Sequence, residues 1–179
     1  MRSFLVMALL FSVGCASSQG TSSGNPVVAM KFAAYNSAAS SKASEAVDAL
    51  AVSSVKMCFK RLRFKQASGD SNVDLALGEV TLSPSGTQLA SVAVPAGTYT
   101  RIELDLEDGC GSGESLSVTN GNGSFATDDG MTIKFDGSFT YTGDSRSLEL
   151  AVQAVVSALG AVTNSSQLRS AAEGASGSF

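Results

Sequence analysis

Three short stretches place reactive side chains at spacings that chemistry could use. Asp70-Ser71-Asn72-Val73-Asp74 sets oxygen-bearing side chains at alternate positions. Calcium loops open this way, with alternate side chains converging on one hard cation. Such a loop continues with glycine and closes on a bidentate glutamate, where this chain has Leu75 and Thr81. A polar turn with Asx capping explains the same residues, so Asp70, Asn72 and Asp74 stand as the candidate metal ligands and no more. Ser53-Ser54-Val55-Lys56 matches the Ser-x-x-Lys of penicillin-binding enzymes. That pair works when a helix brings hydroxyl and amine together; in a strand, positions three apart point to opposite faces. Neither Lys-Thr-Gly nor Ser-Asp-Asn accompanies it. Glu107 and Asp108 could share acid and base roles in glycoside hydrolysis, but nothing marks them as buried, and charged loop residues are the plainer reading. The chain has no histidine, which removes Ser-His-Asp and Cys-His nucleophiles and His-ligated zinc or haem. The expectation is a protein that is not an enzyme and carries no cofactor other than the calcium candidate.

The three cysteines carry more information. Arg2 precedes the apolar run 4–11, followed by Ser12-Val13-Gly14-Cys15. A charged start, a short apolar run and small residues before a cut form a secretory signal. With a cysteine directly after the small residues, the segment resembles the signal of bacterial lipoproteins, which implies a diacylglycerol-modified, fatty-acylated (palmitate-bearing) Cys15 and a membrane anchor through that lipid. Two other readings are an ordinary cleaved signal with an incidental cysteine and an uncleaved anchor. The run is far shorter than the roughly 20 apolar residues of a membrane span, and an Ala-x-Ala-like site is missing. Lipidation leaves Cys58 and Cys110. In an oxidising compartment an even remainder reads as one disulfide; two buried thiols are the alternative.

Residues 16–25, ASSQGTSSGN, are small and polar and behave as flexible coil with a root-mean-square reach of about 15–20 Å. The expected division is a signal peptide 1–14, lipidated cysteine and tether 15–25, one domain 26–163, and a loose or weakly helical tail 164–179. The net charge of −4 argues against a nucleic-acid partner, whose phosphates need clustered cations. Ala16 in place of Asp leaves the outer membrane of a Gram-negative envelope as the expected location.

Most of the domain alternates with period two and is punctuated by Gly, Asn, Asp and Ser, the pattern of an all-β, antiparallel β-sandwich. Strands are expected over 27–33, 54–65, 78–82, 88–93, 98–106, 116–118, 131–135, 138–142 and 148–152. Asp136-Gly137 is expected as a hairpin tip. In the strand 98–106 the alternation puts Thr98, Thr100, Ile102, Leu104 and Leu106 on the core face and exposes Tyr99 beside Arg101, a candidate contact for a partner. Residues 36–51 could hold a helical turn. From Val152 the apolar spacing turns helical through Val155, Val156 and Leu159 and stops at Gly160, giving a short C-terminal helical segment.

The strand 54–65 changes parity at Lys60-Arg61, where one extra residue would form a β-bulge. It carries Lys56, Lys60, Arg61, Arg63 and Lys65, while Glu103, Asp105, Glu107 and Asp108 cluster elsewhere. Pairing the two segments antiparallel with Cys58 opposite Cys110 sets Leu62 against Leu106, Arg63 against Asp105, Phe64 against Leu104 and Lys65 against Glu103. Apolar then meets apolar and cation meets anion.

The succession Ala49-Leu50-Ala51-Val52 to Leu62-Arg63-Phe64, then Val73-Asp74-Leu75-Ala76-Leu77-Gly78, then Val94-Pro95-Ala96-Gly97-Thr98-Tyr99-Thr100-Arg101-Ile102-Glu103-Leu104 resembles the bacterial domain of unknown function 4382. Ile133-Lys134-Phe135 and Leu148-Glu149-Leu150 follow in the same order. The resemblance implies a secreted or lipid-anchored, prealbumin-like β-sandwich and brings no established activity. The functional expectation is a non-enzymatic, lipid-anchored cell-envelope protein whose sandwich binds a protein or polysaccharide partner, with a calcium-dependent adhesive or structural module as the alternative.

Overall fold

A computed structural model describes residues 27–37, 51–67, 70–73 and 77–179, with residues 70–73 described by their backbone alone. The signal segment, Cys15, the tether, residues 38–50 and Asp74 lie outside the described residues. The chain forms an all-β sandwich with a short C-terminal helical segment.

One strand organises the larger sheet. β2 (Val52–Gln66) runs through its centre. Along one edge β6 (Gly97–Leu106) pairs with residues 59–66 and β7 (Leu116–Asn120) with residues 52–57, both antiparallel. β6 and β7 are therefore one line of strand broken by an excursion, residues 107–115. β3 (Asp70–Val73) and β4 (Gly78–Thr81) share the other edge in the same broken way, since Leu62 faces both Val73 and Leu104, and Met57 both Val80 and Leu116. Outside β6 and β7 lie β9 (Met131–Tyr141) and β8 (Gly123–Thr127), again in line. Residues 97–141 thus form one long hairpin turning at Gly121-Asn122, with Asp128-Asp129-Gly130 opposite the excursion. Gly123 at the turn sits at φ 139°, a conformation that favours glycine.

The smaller sheet has the order β10 (Arg146–Leu150), β1 (Val27–Phe32), β5 (Thr87–Ala93). β1 pairs antiparallel with β5 and parallel with β10. Its inward residues Val28, Met30 and Phe32 are buried. Phe32 joins the layers, its ring 6.0 Å from both Phe59 and Phe135. A second aromatic run, Phe64, Tyr99, Phe139 and Tyr141, stacks within the larger sheet at 5.4–6.4 Å. Full burial of each such side chain contributes about 1.5–3 kcal/mol.

The expected helix forms as α1 (Gln153–Gly160), burying Val155, Val156 and Leu159 against β2 and β7. Its end is held from the sheet. The buried Asn120 amide donates to the carbonyls of Leu159, Gly160 and Val162 at 2.9–3.1 Å, and its Oδ1 accepts the Asn122 N–H at 2.8 Å. A helix leaves its last carbonyls unpaired; here the Ala161 and Val162 N–H groups reach Ala158 and Leu159, and β7 adds the Asn120 donor that reaches Gly160 as well.

Residues 164–179, expected as a loose or weakly helical tail, are partly helical. After a 3₁₀ turn (Ser165–Gln167), α2 (Leu168–Gly174) buries Leu168 and Ala172, four apart on one face, against β8 and β9. β11 (Ser176–Ser178) then pairs parallel with β9, while Ser178 also bonds Ala151 next to β10. Three residues thereby close the gap between the two sheets. A Cβ at Gly177 would lie 2.3 Å from the Phe135 ring, so only glycine fits there.

Three local expectations are corrected. β2 and β6 pair antiparallel and the bulge falls at Lys60, but the register is displaced by two: Leu62 faces Leu104, Arg63 Glu103, Phe64 Ile102 and Lys65 Arg101. A shift of two preserves every face, so apolar still meets apolar. Asp136-Gly137 lies inside β9, where the register against β6 shifts, and is a bulge rather than a hairpin tip. Tyr99 is fully buried. The register slips around Thr100 against both neighbouring strands, which turns Tyr99 inward; its hydroxyl donates to the Pro95 carbonyl at 2.6 Å, a tyrosine corner of the kind that ties sandwich loops.

Candidate functional site

The short patterns of the sequence take up separate positions. The Ser53 hydroxyl donates to the Thr119 carbonyl on the β7 edge of β2, whereas the Lys56 ammonium donates to Glu79 Oε1, 3.0 Å away on the β4 edge. The two groups of the Ser-x-x-Lys match therefore face opposite neighbours. Glu107 pairs with Lys60, and Asp108 is exposed. Asp70 and Asn72 stand in β3 opposite Lys65 and Arg63; their backbone is extended there, and Asp74 lies outside the described residues.

Cys58 and Cys110 are joined by a disulfide with Cα atoms 5.7 Å apart, well within bridging distance. Cys110 belongs to the excursion and not to the β6 ladder, the physical reason that anchoring the register on the cysteines displaced it. The bridge pins the excursion to β2 at the break between β6 and β7. Flanking it, Cys58 exchanges backbone bonds with Ser115 and Glu107, and the buried Ser115 hydroxyl lies between the carbonyls of Thr127 and Asp129. Closing a loop with a sequence separation of 52 contributes about 4 kcal/mol in the chain-entropy account.

The outer face of the larger sheet holds most of the strand charge, in rows set by the register. Arg61, Asp105 and Thr132 form one row; Arg63, Glu103 and Lys134 the next; Lys65, Arg101 and Asp136 the third. Arg63 Nη2 bridges Asp105 Oδ1 at 2.6 Å and Glu103 Oε2 at 3.1 Å, and Thr132 donates to the same Asp105 oxygen at 2.8 Å. Arg101 Nε meets Asp136 at 2.6 Å; that carboxylate raises the guanidinium pKa above its ordinary value. Glu79, at the β4 edge, is held below the usual carboxylate range first by its hydrogen bond from Lys56 and then by one from Ser112. Two shallow depressions open on this face. One is lined by Lys65, Gln66, Thr100, Arg101 and Glu103; the other lies between Arg61, Asp105, Thr132 and the α2 residues Arg169 and Glu173.

The rows set five cations, Arg61, Arg63, Lys65, Arg101 and Lys134, against three carboxylates, Glu103, Asp105 and Asp136, a mixed face with an excess of cations that can exchange hydrogen bonds and charge with a polar partner. Among the described residues no tyrosine or phenylalanine is exposed, and the one exposed large apolar side chain is Val27, at 42%. Two structurally decisive residues escaped sequence reasoning. Asn120 carried no signal beyond its place before a Gly-Asn-Gly turn. Gly177 sat among small residues that read as featureless.

Comparison with known protein families, curated proteins and solved structures yields no match for this chain.

Proposed function

We propose that this protein is a non-enzymatic, lipid-anchored component of a bacterial cell envelope, whose sandwich presents a polar sheet face and loop ends to an envelope partner. The observation that carries the reading is the disulfide lying downstream of an export-type segment that ends in Cys15. Structural disulfides persist in oxidising compartments, and the leader describes the route to one. An acylated Cys15 then holds the domain at the membrane through residues 16–25. The resemblance to the domain of unknown function 4382 belongs to the same proposal and contributes a fold without an activity.

The chemistry of the surface narrows the partner. With no exposed aromatic ring among the described residues, recognition proceeds through hydrogen bonds and charge and not through stacking on a sugar face. The paired rows favour a polar protein or polysaccharide surface over an apolar groove-filler.

Metabolic labelling with radioactive palmitate, followed by membrane fractionation of wild type and Cys15→Ala, tests the anchor. Label in the wild type, with loss of both label and membrane retention in the variant, is the expected result. An unlabelled wild type recovered in the soluble fraction would overturn the proposal.

A further inference from the structure

We infer that the end of the sandwich where β1 begins rests on the lipid surface, so that the molecule stands end-on with the β7–β8 hairpin outermost. The inference deepens the lipid-anchor reading and rests on it.

The topology gathers one set of loops at that end. Val27, the first residue of β1, faces Ala93 at the end of β5, and Val28 faces Arg146 at the start of β10. From Ala93 the chain turns through Val94-Pro95-Ala96 into β6, and from Tyr141, opposite Gly97, it turns through residues 142–145 into β10. The C-terminal end of β2 lies there too, since Gln66 faces Tyr99. At the other end of β2, Val52 faces Asn120 at the tip of the long hairpin. Fourteen residue steps of strand separate these ends, about 46 Å at ~3.3 Å per residue.

Cys15 joins this scaffold through residues 16–26. Their mean reach is about 20 Å, and even fully extended they span only ~40 Å. The hairpin tip therefore reaches the bilayer only if the molecule lies on its side. Lying on the larger sheet would press the rows of Arg63, Glu103, Asp105, Arg101 and Asp136 against lipid, which charged side chains resist. The tether end presents small apolar surface beyond the last charged row, that of Lys65, Arg101 and Asp136. It carries Val27, exposed at 42%, beside exposed Ala93, Pro95 and Ala96. Arg146 is exposed there and forms no ion pair among the described residues, and Asp144 on the turn 142–145 is exposed beside it, so this turn is close to neutral. Glu107, Asp108, Glu114, Asp128 and Asp129, on the excursion and the turn facing it, sit beyond Phe59, about 23 Å along β2 from that end. An upright molecule keeps this charge more than a Debye length from an anionic surface.

The test uses full-length protein purified from membranes with its native disulfide and returned to vesicles of phosphatidylethanolamine and phosphatidylglycerol. A fluorophore is placed on Ser145→Cys or on Gly121→Cys and quenched by headgroup-spin-labelled lipid, with palmitate incorporation measured on the same samples. Several-fold stronger quenching at position 145 than at position 121 is expected. Acylated protein with equal quenching at both positions, or stronger quenching at 121, overturns the orientation and leaves the anchor standing. Protein without acylation that fails to sediment with vesicles removes the anchor and the orientation together.

Discussion

Replacing Asn120 by Asp keeps the side-chain shape and inverts its chemistry. The amide donates to the carbonyls of Leu159, Gly160 and Val162; a carboxylate has nothing to donate and adds negative charge where the α1 dipole is already negative. A buried acceptor left without its donor costs about 1–3 kcal/mol, and a misplaced charge at a partly buried helix end costs up to ~2 kcal/mol. The expected loss at neutral pH is about 1–5 kcal/mol, a fall in Tm of up to roughly 10–20 °C for a domain of this size. The sign of the pH dependence follows from the same contacts. Only the protonated acid can donate to a carbonyl, so the folded state raises this pKa above the unfolded value of about 3.9. A raised folded pKa contributes stability that is complete below the unfolded pKa and is lost as pH rises through the folded one. The deficit relative to wild type should therefore be larger at about pH 8 than at about pH 5. Urea unfolding followed by circular dichroism at both pH values measures it, with wild type run in parallel. A deficit below about 0.5 kcal/mol, or one unchanged between the two pH values, would refute the capping argument.

Other perturbations probe the remaining supports. Cys58→Ser with Cys110→Ser should cost up to about 4 kcal/mol in the oxidised protein, with hydrogen exchange in residues 107–115 accelerating before the rest of the sheet. Gly177→Val drives its Cβ into the edge of the Phe135 ring and the Ala151 carbonyl; overpacking of about 1–3 kcal/mol should detach β11, read as lost amide protection at Ser178 and Ala151, and retained protection there would sink the clasp. The Glu79 carboxyl, whose folded pKa is depressed, should titrate below the range of a free glutamate and move up toward it in Lys56→Met. Its stabilising contribution is present above the unfolded pKa and lost as pH falls through the folded one, and a carbon-13 chemical-shift titration that leaves Glu79 unmoved in the variant would contradict the pairing.

The strands with a clean two-residue period were legible before any coordinates, as was the helix of Val155, Val156 and Leu159. The bulge at Lys60 was legible too, because parity changes there in plain sight. Alternation carries register modulo two and cannot choose between registers two residues apart. Leu62 meets a leucine whether it faces Leu104 or Leu106, and Arg63 meets an acid whether it faces Glu103 or Asp105. Backbone hydrogen bonds and the length of the excursion decide between these, and neither appears as a side-chain pattern. β3, β8 and β11 were missed because, Phe125 apart, their residues are small or polar and their partners make them strands. Tyr99 was placed outside because one bulged residue, Thr100, inverts every parity argument upstream of it. The charged rows of the candidate face were legible as charges, but the pairing of Arg63 with two acids depended on the displaced register. The residues named for metal binding and lipidation fall at or beyond the described chain.

The five cations of β2 have a consequence before the sheet exists. Between them stand Val55, Met57, Phe59, Leu62 and Phe64, a run that would seed aggregation if left unpaired. β6, which pairs with residues 59–66, lies some thirty residues further along the chain, so during synthesis that edge of β2 must wait. Two waiting copies from different chains cannot pair with each other without setting lysine and arginine against lysine and arginine. Carboxylates from later segments relieve that repulsion: Glu79 of β4 at Lys56, Glu107 at Lys60, and Glu103 and Asp105 at Arg63. Surface ion pairs worth a few tenths of a kcal/mol in the finished fold thus act earliest as a filter, holding an adhesive strand apart from its own kind until the complementary one arrives.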